Sequence, residues 1–235
     1  MLELVHDVVG HWDEVPLERG PQLIVTLAPW QLWLASQNAD YYRTVAAAEK
    51  TTIDGKWLAQ LLALARRPHA VLTGRGVAEI VYAGGTEVPS GIAVLGGSDA
   101  AIDFLRTHRP SWQIFGGRFG VDVDLERLEE IVHIIRVTGV SLVLLALGSP
   151  KQEAWGRRVA DSAGVTCFGV GGALETVTGI KRPPSLIAQR LRMEWLQRTF
   201  QDPRRFVPRV AQAFSILPRL AVEAVGARFG RVSAS

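Results

Sequence analysis

The sequence holds one cysteine, Cys167, so it closes no internal disulfide, and that thiol sits in an apolar, strand-like run. Such usage fits a reducing cytoplasm. Long hydrophobic runs are missing as well. The longest, such as residues 140–147, have the length of a strand, far short of the ~20 residues that cross a bilayer. Residues 1–10 already carry Glu3, His6 and Asp7, which does not read as a secretory leader. The five histidines show no ligand spacing, and one cysteine cannot build a structural zinc site. There is no G-x-G-x-x-G fingerprint, no G-x-x-x-x-G-K-[ST] loop and no G-x-S-x-G elbow. Those gaps set aside the common dinucleotide, phosphate-loop and serine-hydrolase readings.

Acidic residues are scarce in one region only. Residues 181–235 hold eleven Lys and Arg against Glu194, Asp202 and Glu223, whereas residues 1–180 hold fifteen basic and twenty acidic side chains. A mildly acidic body with a strongly basic tail implies an anionic partner at the tail: a phosphorylated ligand, a membrane surface or nucleic acid.

What is present is a core-forming α/β pattern, with 48% hydrophobic and 21% charged residues. Apolar runs at 22–27, 51–53, 92–95, 112–115, 142–147 and 165–170 alternate with amphipathic stretches near 57–65, 100–107, 125–137 and 153–160. This predicts an α/β fold with a doubly wound, mostly parallel sheet covered on both faces. Residues 1–180 form the expected core and 181–235 a basic helical appendage. In the appendage, residues 186–200 read as one helix. From Phe206 an apolar stripe with Arg209, Arg219 and Arg228 fits an interfacial helix and a helix packed on its own domain equally well. Pro218 is expected to kink or split it.

Ligands of such sheets collect beyond the carboxyl ends of the strands, and glycines recur there: Gly55, Gly96-Gly97, Gly116-Gly117, Gly148 and Gly171-Gly172. Together they favour a phosphorylated or nucleotide ligand. For transfer from a nucleotide sugar, a base, a diphosphate-stabilising cation and sugar-orienting polar groups are required. Asp54 is the candidate base, although Asp54-Gly55 also suits a plain turn. Lys151, Gln152 and Glu153 open a helix and suit substrate binding, although Glu153 there is already explained by the helix dipole. Arg198, Arg204, Arg205 and Arg209 suit a diphosphate. Asp122-Val123-Asp124 has the D-x-D form of metal-dependent transferases, but Asp124 also fits an N-cap. Trp30, Trp33, Trp57, Trp155 and Trp195 suit sugar stacking or the core.

Three linked runs carry a resemblance: Leu147-Gly148-Ser149-Pro150-Lys151-Gln152-Glu153; Gly169-Val170-Gly171-Gly172-Ala173 with Thr178-Gly179-Ile180-Lys181-Arg182-Pro183; and Glu194-Trp195-Leu196-Gln197-Arg198 with Pro203-Arg204-Arg205. Their order and spacing resemble the WecG/TagA/CpsF glycosyltransferases over residues 25–209. The resemblance implies a single Rossmann-like domain and inverting, metal-independent transfer from a UDP-sugar, with no cofactor. The implied acceptor is a sugar on a polyprenyl diphosphate, and the C-terminal appendage completes the site on the inner face of the membrane. By motif, Asp54 matches the base, and Thr26 a substrate-contacting threonine. Gln152 matches the active-site glutamine, and the tail arginines match those that hold the diphosphate. Gly148, Gly171 and Gly172 belong to the same substrate-binding set. The family's usual Thr-x-Asn is here Thr26-Leu27-Ala28. Val71-Leu72 stand where an arginine usually precedes Thr73-Gly74, with Arg75 as the substitute, and Gly116-Gly117-Arg118-Phe119 replaces an aromatic loop. The alternative reading is a non-catalytic, nucleotide-binding relative. Nucleic acid is not an expected partner, and self-association of the chain is compatible with the sequence.

Overall fold

The computed structural model describes residues 1–17, 20–182 and 203–230. Six strands make one sheet: β1 (Gln22–Leu27), β2 (Lys50–Ile53), β3 (Ile92–Gly96), β4 (Gln113–Phe115), β5 (Leu142–Ala146) and β6 (Thr166–Gly169). Their order is β2-β1-β6-β5-β3-β4, and every pairing is parallel. The helices are α1 (Pro29–Gln37), α2 (Ala39–Ala46), α3 (Lys56–Leu64), α4 (Gly74–Ala83), α5 (Asp99–His108), α6 (Leu125–Thr138), α7 (Lys151–Ala163), α8 (Leu174–Val177) and α9 (Pro203–Gly230).

The strands are apolar throughout because side chains alternate between two covered faces. Leu23, Val25, Leu27, Ala93, Leu95, Val143, Leu145 and Cys167 enter one core, with α1, α2, α3, α6, α7 and α9 above them. Ile24, Ile92, Val94, Leu142, Leu144 and Phe168 enter the other, beneath α4, α5 and α8. The chain leaves β3 outward to β4 but leaves β5 inward to β6, so a crevice opens between β3 and β5 at the carboxyl edge.

All six expected strands are present, within a residue or two at most ends. Helices α1, α2, α4 and the short α8 were not anticipated. The apolar residues of α1 lie on several sides because the helix is sandwiched: Leu32 and Ala35 are buried toward the core, and α9 packs along another side. No polar face remains to mark it.

The long helix α9 settles two expectations. It runs unbroken through Pro208 and Pro218, both of which lie on its exposed side, where the carbonyl four residues back, pushed off by the ring and left without its N–H partner, can tilt out to water. The expected split at Pro218 therefore does not occur. The helix also packs on its own domain: Ile216, Leu220 and Ala224 are buried in the core of α1 and α3. The opposite side exposes Val207, Phe214, Val222, Val225 and Phe229. The helix expected over 186–200 lies outside the described residues.

Candidate active site

At the carboxyl edge, the backbone N–H of Asp54 donates to the carbonyl of Leu27 at 2.8 Å. This bond extends the β1–β2 register by one residue and holds Asp54, half-buried, beside the end of β1. Gly55 follows at φ +95°, a conformation that suits glycine, and starts α3. Trp57, in the first turn of α3, is 52% exposed, on the same edge of the sheet.

Below this edge a chain of hydroxyls crosses three strands. Thr52 Oγ1 donates to Thr26 Oγ1 at 3.1 Å, and Thr26 Oγ1 donates to the carbonyl of Gly169 at 2.8 Å. Thr26, expected to touch substrate, is buried and its proton is already given to β6. Its evident work is to bind β2, β1 and β6 together under the site.

The loop from β5 to α7 carries the densest polar network. Gly148 adopts φ +73°, and α7 then begins at Lys151, which is partly exposed. Gln152 is buried. Its Nε2 donates to Glu153 Oε1 at 3.1 Å, and its Oε1 accepts from the backbone N–H of Gly171 at 3.2 Å. The amide thus bridges the loops after β5 and β6. Glu153 is only 1% exposed. Its Oε1 also accepts from Ser149 Oγ at 2.7 Å and from the Tyr41 hydroxyl at 3.4 Å, while Oε2 is buried with no partner. Desolvation pushes the Glu153 carboxyl above its ordinary range, against the pull of these hydrogen bonds. Burial, and then the charge of Glu153, push the Tyr41 hydroxyl well up. Glu153 therefore serves the network behind Gln152, not the open surface.

A second polar group, which the sequence reading missed, lies across the crevice. Glu175, on α8, is 9% exposed, and its Oε1 accepts from the backbone N–H of Ser98 at 3.3 Å. Glu175 Oε2 and Ser98 Oγ are both buried without a partner. A Cβ on Gly172 would stand 3.7 Å from Glu175 Oε2. Two orphaned oxygens, one of them beside Gly172, leave hydrogen bonds to be completed by groups from outside the chain, since buried polar atoms are ordinarily satisfied. The signal was the Gly-Gly-Ala-Leu-Glu run, in which a short helical turn brings Glu175 back to the β3 loop.

The expected cations are spread around this edge. Arg75 lies in the first turn of α4, 3.7 Å from Glu79. Its neighbour Gly74 packs so closely on β6 that a Cβ there would lie 3.1 Å from the Gly169 carbonyl. Arg209 stacks on Trp30 at the start of α1, 4.3 Å from the ring centroid. Arg204 is exposed on the first turn of α9. Arg205 is placed by its backbone alone, and Arg198 and Trp195 lie outside the described residues. Gly171 is half-buried and Gly172 exposed.

Other candidates sit elsewhere. Asp124 Oδ1 accepts from the backbone N–H of Arg127 at 3.2 Å, the N-cap of α6. Trp155 is core, edge-on to Phe119 at 4.8 Å. Among the described residues, no three His, Cys, Asp or Glu side chains converge as a metal site would require.

The chain belongs to the glycosyl transferase WecG/TagA/CpsF family, whose model matches residues 2–232. It is thus a glycosyltransferase, working on a sugar donor and an acceptor, in a family that acts in surface-polysaccharide synthesis.

Proposed function

We propose that the protein moves a hexosyl or N-acetylhexosaminyl group from a UDP-sugar to a saccharide on a polyprenyl diphosphate, with inversion and without a metal ion. The observation that carries this reading is the edge formed by β1 and β2. Asp54 is held there by Leu27, and Trp30, three residues further along, carries Arg209 of α9. One place thus offers a carboxylate for a proton and a guanidinium for a diphosphate.

In this mechanism the Asp54 carboxylate takes the proton of the acceptor hydroxyl. The freed oxygen attacks the anomeric carbon from the face opposite the nucleotide. The bond between that carbon and the β-phosphate oxygen breaks, and UDP leaves with its new charge facing Arg209, Arg204 and Arg75. The bridge from Gln152 to Gly171 shapes the floor on which the donor lies. Glu175 Oε2 and Ser98 Oγ take hydroxyl groups of the donor across the crevice. The outer face of α9, apolar and flanked by Arg204, Arg219 and Arg228, suits attachment to an anionic membrane surface on the cytoplasmic side.

A UDP-release assay tests the reading. Release is expected to require the lipid-linked acceptor, to persist in EDTA and to fall at least ~100-fold in Asp54→Asn, the scale of a lost general base. Full activity in Asp54→Asn would remove Asp54 from that role.

Ala28 favours a second reading, a relative that binds nucleotide without turnover, because this chain lacks the amide usual at that position. Calorimetric UDP binding with no release across a panel of donors and lipid acceptors would select it.

A further inference from the structure

The first turns of α9 carry arginines but little packing. Among the described side chains of residues 203–215 none is fully buried, and burial begins at Ile216. The far end is pinned separately, where Glu223 Oε2 accepts from the amino group of Met1 at 2.8 Å and from the backbone N–H of Leu2 at 2.9 Å. At the near end, one partly buried side chain of α1 makes two different contacts. Trp30 Nε1 donates to Gln212 Oε1 at 2.9 Å, and the Arg209 guanidinium lies over its ring at 4.3 Å. Residues 209 and 212 are one turn apart on the same side of the helix.

We propose that Trp30 is a positioning residue. It holds Arg209 in place at the carboxyl edge of β1, so that seating of α9 and delivery of the cation to the leaving diphosphate are a single event. The role rests on the transfer reading above, because it acts through Arg209. An arginine on a long, mobile stem loses much of its value if it must be ordered at the moment of reaction. An aromatic face beneath a guanidinium orders it beforehand without using its N–H donors in the contact. The indole N–H adds what a phenyl ring lacks, a fixed link to the helix that bears the arginine. Trp30 also lies two residues beyond Ala28, in the first turn of the helix that follows β1.

The test is a double-mutant cycle on donor kcat/KM and on UDP affinity, using Trp30→Ala, Trp30→Phe and Arg209→Ala in the full chain. If Trp30 acts through Arg209, Trp30→Ala lowers kcat/KM about tenfold in the native background and by less than about twofold in Arg209→Ala. The loss falls mainly in kcat, because the diphosphate charge develops in the transition state. Trp30→Phe recovers most of it by keeping the ring. An equal loss from Trp30→Ala with and without Arg209 would overturn the proposal, as would unaltered kinetics in both Trp30 variants. Should Trp30→Ala fail to fold, Trp30→Leu replaces it in the same cycle, with an equal loss in both backgrounds as the adverse result. UDP binding and turnover with an additive cycle sinks this inference alone. A native protein that neither binds UDP nor releases it sinks the transfer reading and this one together.

Discussion

The carboxamide of Gln152 fills the space that a Cβ at residue 169 would need: a methyl added to Gly169 would stand 2.5 Å from Gln152 Nε2 and 3.1 Å from its Cδ. The glycine ending β6 is therefore there for Gln152, and through it for the loop at Gly171. Gly169→Ala is expected to push the amide away from Gly171 and Glu153, costing ~1–3 kcal/mol of stability as overpacking does. It is also expected to lower turnover about as much as Gln152→Ala. Native kinetics in Gly169→Ala would show that the bridge is not needed for catalysis.

Ala28 stands at the N-cap of α1 with no side chain to cap it. Gln31 Oε1 instead reaches back to its N–H at 3.2 Å. Ala28→Asn restores the residue usual in the family and is expected to add a cap, worth ~1 kcal/mol and about 2–4 °C in Tm for a domain of this size. If the missing amide also binds substrate, donor KM falls alongside. A rise in Tm with no kinetic change would limit the residue to capping.

How much of this was legible in the sequence depended on what each side chain has for neighbours. The six strands were readable because residues such as Val143 and Leu144 go to opposite, equally covered faces, and a run with no polar gap has few other homes. Helix α6 was readable too, between the cap Asp124 and the left-handed Gly139. By contrast, α1 was hidden by being covered on more than one side. Asp54, Gln152 and Arg209 were nominated as site residues by motif, but their settings were not legible. The commitment of the Thr26 hydroxyl to Gly169 and the turning of Glu153 toward Tyr41 depend on contacts across 143 and 112 positions. Ser98 and Glu175 look ordinary in the chain, and only their shared burial 77 positions apart marks them.

Glu153 leads to a dependence on pH with a definite sign. A carboxyl whose pKa is higher in the folded chain than its ordinary value of 4.5 keeps its proton longer when folded. Stability then falls as pH rises from that value to the raised folded one, and is level above it. Glu153→Gln keeps an acceptor for Ser149 and Tyr41 but cannot ionise. Melting curves of the two proteins are expected to lie close together below pH 4.5 and to separate above it, with the glutamine variant gaining. Parallel curves across the range would mean that the buried carboxyl ionises as readily folded as unfolded.

Membrane attachment needs a test that leaves the core intact. Removing residues beyond 200 is the obvious experiment on the tail, but it would also strip Ile216, Leu220 and Ala224 from the core of α1 and α3. Loss of binding would then report misfolding as readily as docking. The outer face of α9 allows a cleaner change. Val222 is 72% and Phe229 64% exposed, and neither helps hold the helix to the sheet. Each apolar side chain moved from water into the lipid boundary is worth ~1.5–3 kcal/mol, and each nearby arginine ~1 kcal/mol on an anionic surface. Val222→Asp with Phe229→Asp is therefore expected to weaken co-sedimentation with anionic vesicles at least ~100-fold. The change in Tm should stay within that of an ordinary surface substitution. Transfer to a lipid-linked acceptor should fall with binding, while UDP affinity, which depends on the carboxyl edge of the sheet, should hold. Unchanged sedimentation would mean that this face of α9 does not meet the membrane, and an equal fall in UDP affinity would mean that the helix had been unseated.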